Sequence, residues 1–253
     1  NEEDRLLKAG TGIRCARRAE VFTAPDRVLP AGPEPELKVP RACYACKEDF
    51  TRLHHFYDAL CPACAEHNYA KRYVTADLTG RAACISGARL KIGYQAALML
   101  LRAGARVIVS TRFPHDAAKR FAAEPEFKLW GSRLSVHGLD LRHSPSVEIF
   151  ARYLCATEPR LDHLLNNAAQ TVRRPVGFYA HLLERERLSW KALGEDERRL
   201  LAGHYEVTSA LGGGTQDKAL TSWDGGAVGL GLRESAALSQ VRMIYDDKVS
   251  GRD

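Results

Sequence analysis

The chain has 253 residues, 45% of them hydrophobic and 27% charged, a balance that fits one large or two unequal folded domains and excludes a disordered or collagen-like polypeptide. Its formal charge of +6 comes from Lys and Arg spread along the whole length, so no basic block marks a nucleic-acid footprint, and nucleic acid is not expected as a partner. No apolar run approaches the roughly twenty residues that a membrane-crossing helix needs, and Asn1-Glu2-Glu3-Asp4-Arg5 carries no secretion signal, so no membrane is expected and the cytoplasm is the expected location.

In chain order, residues 2–22 mix Leu, Ala and Arg in a way that predicts one short helix, and the Pro-rich residues 28–35 read as a linker. A compact Cys- and aromatic-rich module follows. From about residue 78 the texture changes to alternating strand and helix signals. Residues 81–86, 106–110, 134–139 and 163–165 read as four short apolar strands; residues 94–102, 114–123 and 147–156 have helical spacing between them. Strand, helix and strand in series predict a right-handed, doubly wound parallel sheet. Residues 182–201 are charged and read as helical, whereas the glycine-dense runs 211–215 and 224–231 read as loop. The chain thus divides into a helix and linker over 1–40, a four-cysteine module over 41–77, an α/β segment over 78–175, and a partly helical insertion or incomplete region over 176–253. Asn1 is not a Met, and residues 248–253 carry no closing helix or strand signal, so a fragment of a longer polypeptide is expected.

The strongest local signal is in the cysteines. Cys43-x-x-Cys46 and Cys61-x-x-Cys64 lie fourteen residues apart, and each pair can form a tight turn aiming two thiolates at one ion. Four sulfur ligands suit Zn2+ and leave no position open for water, so a structural ion is expected. Some thirty residues hold too little apolar surface to fold unaided, and metal binding can supply the missing free energy. His54, His55 and His67 are rival ligands that read better as packing or surface residues, with Phe50, Leu53, Phe56 and Tyr57 as the small core. Cys15, Cys84 and Cys155 read as buried thiols.

The second signal is the run Cys84-Ile85-Ser86-Gly87-Ala88-Arg89-Leu90-Lys91-Ile92-Gly93-Tyr94, which follows a strand and opens a helix, where backbone amides can bind a diphosphate. It resembles the T-G-x-x-x-G-x-G fingerprint of short-chain dehydrogenases, and Asn166-Asn167-Ala168-Ala169 after the fourth strand resembles their N-N-A-G. Asp140, at the end of the third strand, matches the family position that contacts adenine. The resemblance covers roughly residues 79–174 and is nearest to a branch with an N-terminal four-cysteine segment. It implies a partial Rossmann-type sheet preceded by a zinc ribbon. It also implies a nicotinamide cofactor held by Ser86, Gly87, Arg89, Lys91, Ile92, Gly93, Arg112, Asp140, Asn166, Asn167 and Ala168.

Three departures qualify the match: Ser86 replaces Thr, Ala169 replaces the last Gly of N-N-A-G, and Lys91 stands where the middle glycine belongs. Lys91 either neutralises phosphate as a point charge or marks a site that has lost nucleotide binding. The first reading is preferred, because Arg89 lies in the same turn and Arg112 follows the second strand. Basic residues there imply a 2′-phosphate in this family, and Ser110-Thr111-Arg112 offers no carboxylate for a free ribose hydroxyl, so NADP is the expected cofactor. No tyrosine has a lysine four residues on, so the family's Tyr-x-x-x-Lys pair is not in this chain; the nearest approach is Tyr245-Asp246-Asp247-Lys248, one residue short. No catalytic residue is assigned. The resemblance implies hydride transfer between NADP(H) and a carbonyl or alcohol. The alternative is a non-catalytic zinc-ribbon module that captures a protein partner on a nucleotide-binding scaffold.

Overall fold

A computed structural model describes residues 2–18, 27, 32–169, 174–175, 177–211 and 229–240. They form two compact units, Asn1–Ala76 and Asp77–Asp253.

In the first unit the expected single helix is two, α1 (Glu2–Ala9) and α2 (Gly12–Arg18). The break falls at Gly10-Thr11, where the Thr11 hydroxyl caps the Lys8 carbonyl at 2.7 Å. Both helices belong to the ribbon. The Asp4 carboxylate accepts from the Lys38 and Val39 amides at 2.9 and 3.2 Å, satisfying the free edge of strand β1 (Glu36–Ala42), and the amides of Gly12 and Ile13 donate to the carbonyls of His55 and Phe56. The Lys38 amide bond is the chief reason the Asp4 carboxyl lies below its ordinary range. Strand β2 (Asp49–Arg52) pairs antiparallel with β1, and α3 (Pro62–Lys71) completes the unit. Leu37, Phe50, Leu53 and Phe56 are buried as a core, which also takes in Tyr69 of α3; Tyr57 is half-buried.

The second unit is built on a four-stranded parallel sheet of β3 (Ala82–Ser86), β4 (Arg106–Thr111), β5 (Leu134–Gly138) and β6 (His163–Leu165), in the order β5-β4-β3-β6. The chain steps outward from β3 to β4 to β5 and then crosses back to lay β6 on the other side of β3. The direction of winding therefore reverses between β3 and β6, and in open α/β sheets a crevice opens at that point beyond the strands' carboxyl ends. Side-chain alternation follows from the pleat. Ile85, Val107, Val109 and Val136 face one layer with α4 (Lys91–Arg102) and α5 (Pro114–Ala122), whereas Cys84 and Ile108 face the other with Ile149 and Phe150 of α7 (Ser144–Thr157).

A short helix that the sequence reading lacked, α6 (Phe127–Trp130), buries Phe127 and Trp130. The charged stretch over 182–201 is likewise two helices, α8 (Ala180–Glu186) and α9 (Glu195–Ala210). Gly194 separates them, and Glu197 reaches back to accept from its amide at 3.1 Å. Leu200 and Leu201 of α9 join the first core, and Val207 joins the second.

Two expectations are corrected. The glycine run ending at Gly231 is not all loop, because its last two residues open α10 (Leu230–Arg233), which α11 (Ser235–Leu238) follows. Gly231 is required by close packing on α7, since a β-carbon on it would lie 2.8 Å from the Cβ of His143. Of the three cysteines expected to be buried, only Cys84 is; Cys15 and Cys155 are exposed. The remainder of both glycine runs, and Tyr245, lie outside the described residues. Among the described residues no helix is long and apolar enough to cross a membrane.

Candidate functional site

The four expected metal ligands converge. The sulfur atoms of Cys43, Cys46, Cys61 and Cys64 all lie within 4.8 Å of one another, and those of Cys46 and Cys61 are 3.7 Å apart. Tetrahedral zinc with sulfur at about 2.3 Å requires sulfur–sulfur distances of about 3.8 Å, so the cage fits that ion. The first turn is closed by Lys47, whose φ of 69° lies in the left-handed region, and by the Cys43 amide donating to the Glu48 carbonyl at 2.8 Å. The thiols are electrostatically frustrated without a cation. Burial acts to raise Cys43, but the amides of Cys61, Cys46 and Ala45 outweigh it and bring the thiol down to about 6. Cys64, beside the sulfur atoms of Cys61 and Cys46, is pushed up to about 12 by hydrogen bonding to them. Four thiolates this close can coexist only around a positive charge.

The rival histidines have other work. His54 is buried, and its Nδ1 accepts from the Phe56 and Tyr57 amides at 3.1 and 3.3 Å. His55 stacks edge-on to Tyr69, and His67 is exposed.

In the second unit a cleft of about 340 Å³ opens at the carboxyl ends of all four strands. Its floor is a contact between two turns. Gly87, at φ 69°, brings the turn after β3 against the turn after β6, and the Ser86 hydroxyl accepts from the amides of Asn167 and Ala168 at 3.0 and 3.1 Å. The Asn167 side chain returns the contact, donating to the carbonyls of Ser86 and Gly87 at 3.1 and 3.0 Å. Gly93 makes room for this staple, because a β-carbon there would sit 2.4 Å from the Asn167 Nδ2. Serine in place of threonine keeps the hydroxyl that the staple needs. Helix α4 starts at Lys91, with Leu90 as an N-cap that offers no side-chain acceptor, so its first amides are open to an anion. Lys91 adopts φ 55°, the left-handed conformation that a glycine would take without strain.

Of the expected cofactor residues, Gly87, Arg89, Arg112, Asp140 and Ala168 line the cleft. Ser86, Gly93 and Asn167 shape it from beneath. Lys91, Ile92 and Asn166 are exposed beside it. Arg89 is paired with Asp116 at 2.7 Å, and its guanidinium lies 5.2 Å from the centre of the Phe113 ring. Arg112 lies over the ring of Tyr179 at 4.9 Å, and its carbonyl accepts from Ser235 at 3.0 Å. Asp140 is clasped by Arg142, whose Nε reaches both carboxylate oxygens at 2.9 and 3.0 Å. Burial would raise the Asp140 carboxyl, but the bonds and charge of Arg142, with the charge of Arg112, hold it below its ordinary range. Sequence reasoning missed Phe113, Arg142 and Tyr179. The first two flank motif positions, whereas Tyr179 lies far along the chain and only folding brings it to Arg112.

No family model matches the chain. Part of it is similar to curated proteins. It is 39% identical over 137 residues to an uncharacterised protein of Acanthamoeba polyphaga mimivirus, a match covering 52% of this chain and 29% of that protein. It is 37% identical over 93 residues to dehydrogenase/reductase SDR family member 13 of Bos taurus, covering 37% of this chain and 24% of the relative. It is 33% identical over 111 residues to retinol dehydrogenase 12 of Homo sapiens, covering 42% of this chain and 34% of that enzyme. The chain therefore spans about a quarter to a third of the length of the curated relatives it matches. These partial likenesses support kinship with the short-chain dehydrogenase/reductase family over the matched residues.

Proposed function

From these likenesses and the cleft, we propose that residues 77–253 bind NADP(H), and that the whole protein uses it as an oxidoreductase on a carbonyl or alcohol. The observation that carries this reading is the cradle itself. Gly87, at positive φ, and the uncapped start of α4 meet at the point where the strand order reverses. The cofactor, when bound, supplies or accepts a hydride. In this chain the amides at the start of α4 would receive the diphosphate, and the exposed Lys91 would add its charge there. Arg112, stacked on Tyr179 beside the end of β4, stands where a ribose 2′-phosphate would fall. Arg89 already has a carboxylate partner in Asp116 and so contributes less net charge. The Ser86–Asn167 staple would hold the two sides of the crevice at constant spacing. Calorimetric titration of the 253-residue chain tests this: NADPH should bind at least tenfold more tightly than NADH, and absence of heat with either would remove the proposal.

The cysteine cage is assigned a structural Zn2+. A second reading, capture of a protein partner by the ribbon, is favoured by one observation: Tyr44, inside the first cysteine turn, is 77% exposed, with the Lys47 ammonium over its ring at 4.9 Å. Replacing Tyr44 by Ser should abolish such capture while leaving zinc content unchanged.

A further inference from the structure

We infer that a second cleft, bounded by α5, α8, α9 and residues 232–237, binds a small organic ammonium ion whose charged head meets the carboxylate of Glu186. This cleft measures about 320 Å³ and shares no lining residue with the dinucleotide cleft. The inference goes beyond the dinucleotide reading and does not depend on it.

Glu186 closes α8 as a half-buried carboxylate without a counter-charge. Its Oε2 and Oε1 accept from the amides of His115 and Asp116 at the start of α5, at 3.0 and 2.9 Å, so each oxygen keeps a second lone pair. Among the described residues it has no ion-pair partner, because the neighbouring guanidiniums are engaged elsewhere: Arg185 by Glu197, and Arg89 and Arg120 by Asp116. Burial, helped by the charge of Asp116, pushes the Glu186 carboxyl up to about 7, although the two amide bonds and the charge of Arg185 act to lower it. A cation arriving from the cleft would stabilise the ionised form that burial disfavours.

The neighbouring phenol is an acceptor as well. The Arg185 carbonyl can only accept, so His115 Nδ1, 3.1 Å away, carries the ring proton. Burial holds His115 below its ordinary value and therefore neutral, so Nε2 offers a lone pair, to which the Tyr205 hydroxyl donates at 3.0 Å. With its proton spent there, the Tyr205 oxygen is left as an acceptor. Its ring is held edge-on to Trp190 at 4.5 Å, and after burial the charge of Glu186 is what raises the phenol, so the two groups act on one another. Both line the cleft, together with the apolar side chains of Leu183 and Leu188. An ammonium brings three donors and one charge to such acceptors, whereas an anion would be repelled by Glu186. The other charged lining groups, Arg187, Arg233 and Glu234, are exposed, so water and salt screen them, and Arg233 donates to the Leu211 carbonyl at 2.9 Å.

The test titrates the 253-residue chain with benzylammonium chloride and, separately, with benzyl alcohol, an uncharged molecule of similar shape, followed by the backbone amide resonances of His115 and Asp116. At pH 8 the ammonium is expected to bind at least roughly tenfold more tightly than the alcohol. Its affinity should fall by about tenfold between pH 8 and pH 6, because protonation of a carboxyl titrating near 7 removes the charge that holds it. Glu186→Gln should abolish the preference for the ammonium and flatten its pH dependence. If that variant does not fold, the two probes and the pH series on the unaltered chain still decide. Equal affinity for the two probes, binding of neither, or an ammonium affinity constant between pH 8 and pH 6 overturns the inference. Each of these results leaves the dinucleotide reading standing, since NADPH is titrated into a different cleft.

Discussion

A β-carbon on Gly87 would lie 2.8 Å from the Cα of Ala168. The turns after β3 and β6 thus touch through their backbones, and that contact sets the width of the crevice between them.

Gly87→Ala should therefore be severe. The new methyl meets backbone, which cannot rotate away, and φ of 69° adds strain of its own. Together these predict a loss of about 2–4 kcal/mol, read as a lower urea midpoint of the tryptophan transition. Wild-type stability in that variant would mean that the two turns do not approach so closely.

Lys91→Gly separates the two readings of that position. Glycine relieves the left-handed conformation at φ 55° and should stabilise the unit by about 1 kcal/mol. If the ammonium neutralises phosphate, NADPH affinity falls severalfold despite the gain in stability; if the lysine obstructs the site, affinity rises. Parallel thermal melts and titrations read the two effects separately.

Metal removal should act on one unit. All three tryptophans, Trp130, Trp190 and Trp223, lie beyond residue 77, whereas Tyr44, Tyr57, Tyr69 and Tyr73 lie before it. Each unit buries its own core. A chelator is expected to abolish the near-ultraviolet tyrosine signal of the ribbon while tryptophan emission stays constant, and Cys43→Ser should reproduce this. Unchanged tyrosine dichroism after complete removal of zinc would refute a structural ion.

Acid should unfold the second unit through two buried histidines. Burial, helped by the charges of His204 and Arg106, brings His137 down to about 3; burial, with the charge of His115, does the same for His204. Both are neutral in the fold. Their share of stability is complete above the unfolded value near 6.5 and declines as pH falls, because the unfolded chain takes up protons that the folded chain refuses until about pH 3. Two such groups remove up to about 2.7 kcal/mol per pH unit. His137→Phe should halve that slope and leave neutral stability equal or higher, since it also deletes a buried Nδ1 that has no partner. Tryptophan-monitored acid titration checks both, and an unaltered acid midpoint would contradict the assignment.

How much was legible in advance depended on how local each cause is. The four strands appear at residues 82–86, 106–111, 134–138 and 163–165, close to their apolar runs, because β3, β4 and β5 are buried almost throughout and so carry few charged residues, whereas β6, exposed at His163 and Leu164, was marked only by its Leu pair. The cysteine cage was legible for a similar reason: a C-x-x-C pair aims its thiols by local turn geometry, and one ion needs two such pairs. Helices α8 and α9 were harder, since charged residues dominate both and their buried faces are defined by distant partners, β5 for α9 and α5 for α8.

What the amino-acid order by itself determined, then, is the alternation of strand and helix, the metal cage, and the turn that opens α4. Only the tertiary structure decided that Arg89 is engaged by Asp116, that Arg112 rests on Tyr179, and that Asp140 is closed by Arg142 with a carbonyl from residue 238. The physical reason is that a motif specifies backbone conformation over a few residues, whereas the free valence of a charged side chain depends on which distant partner the fold brings within hydrogen-bond reach.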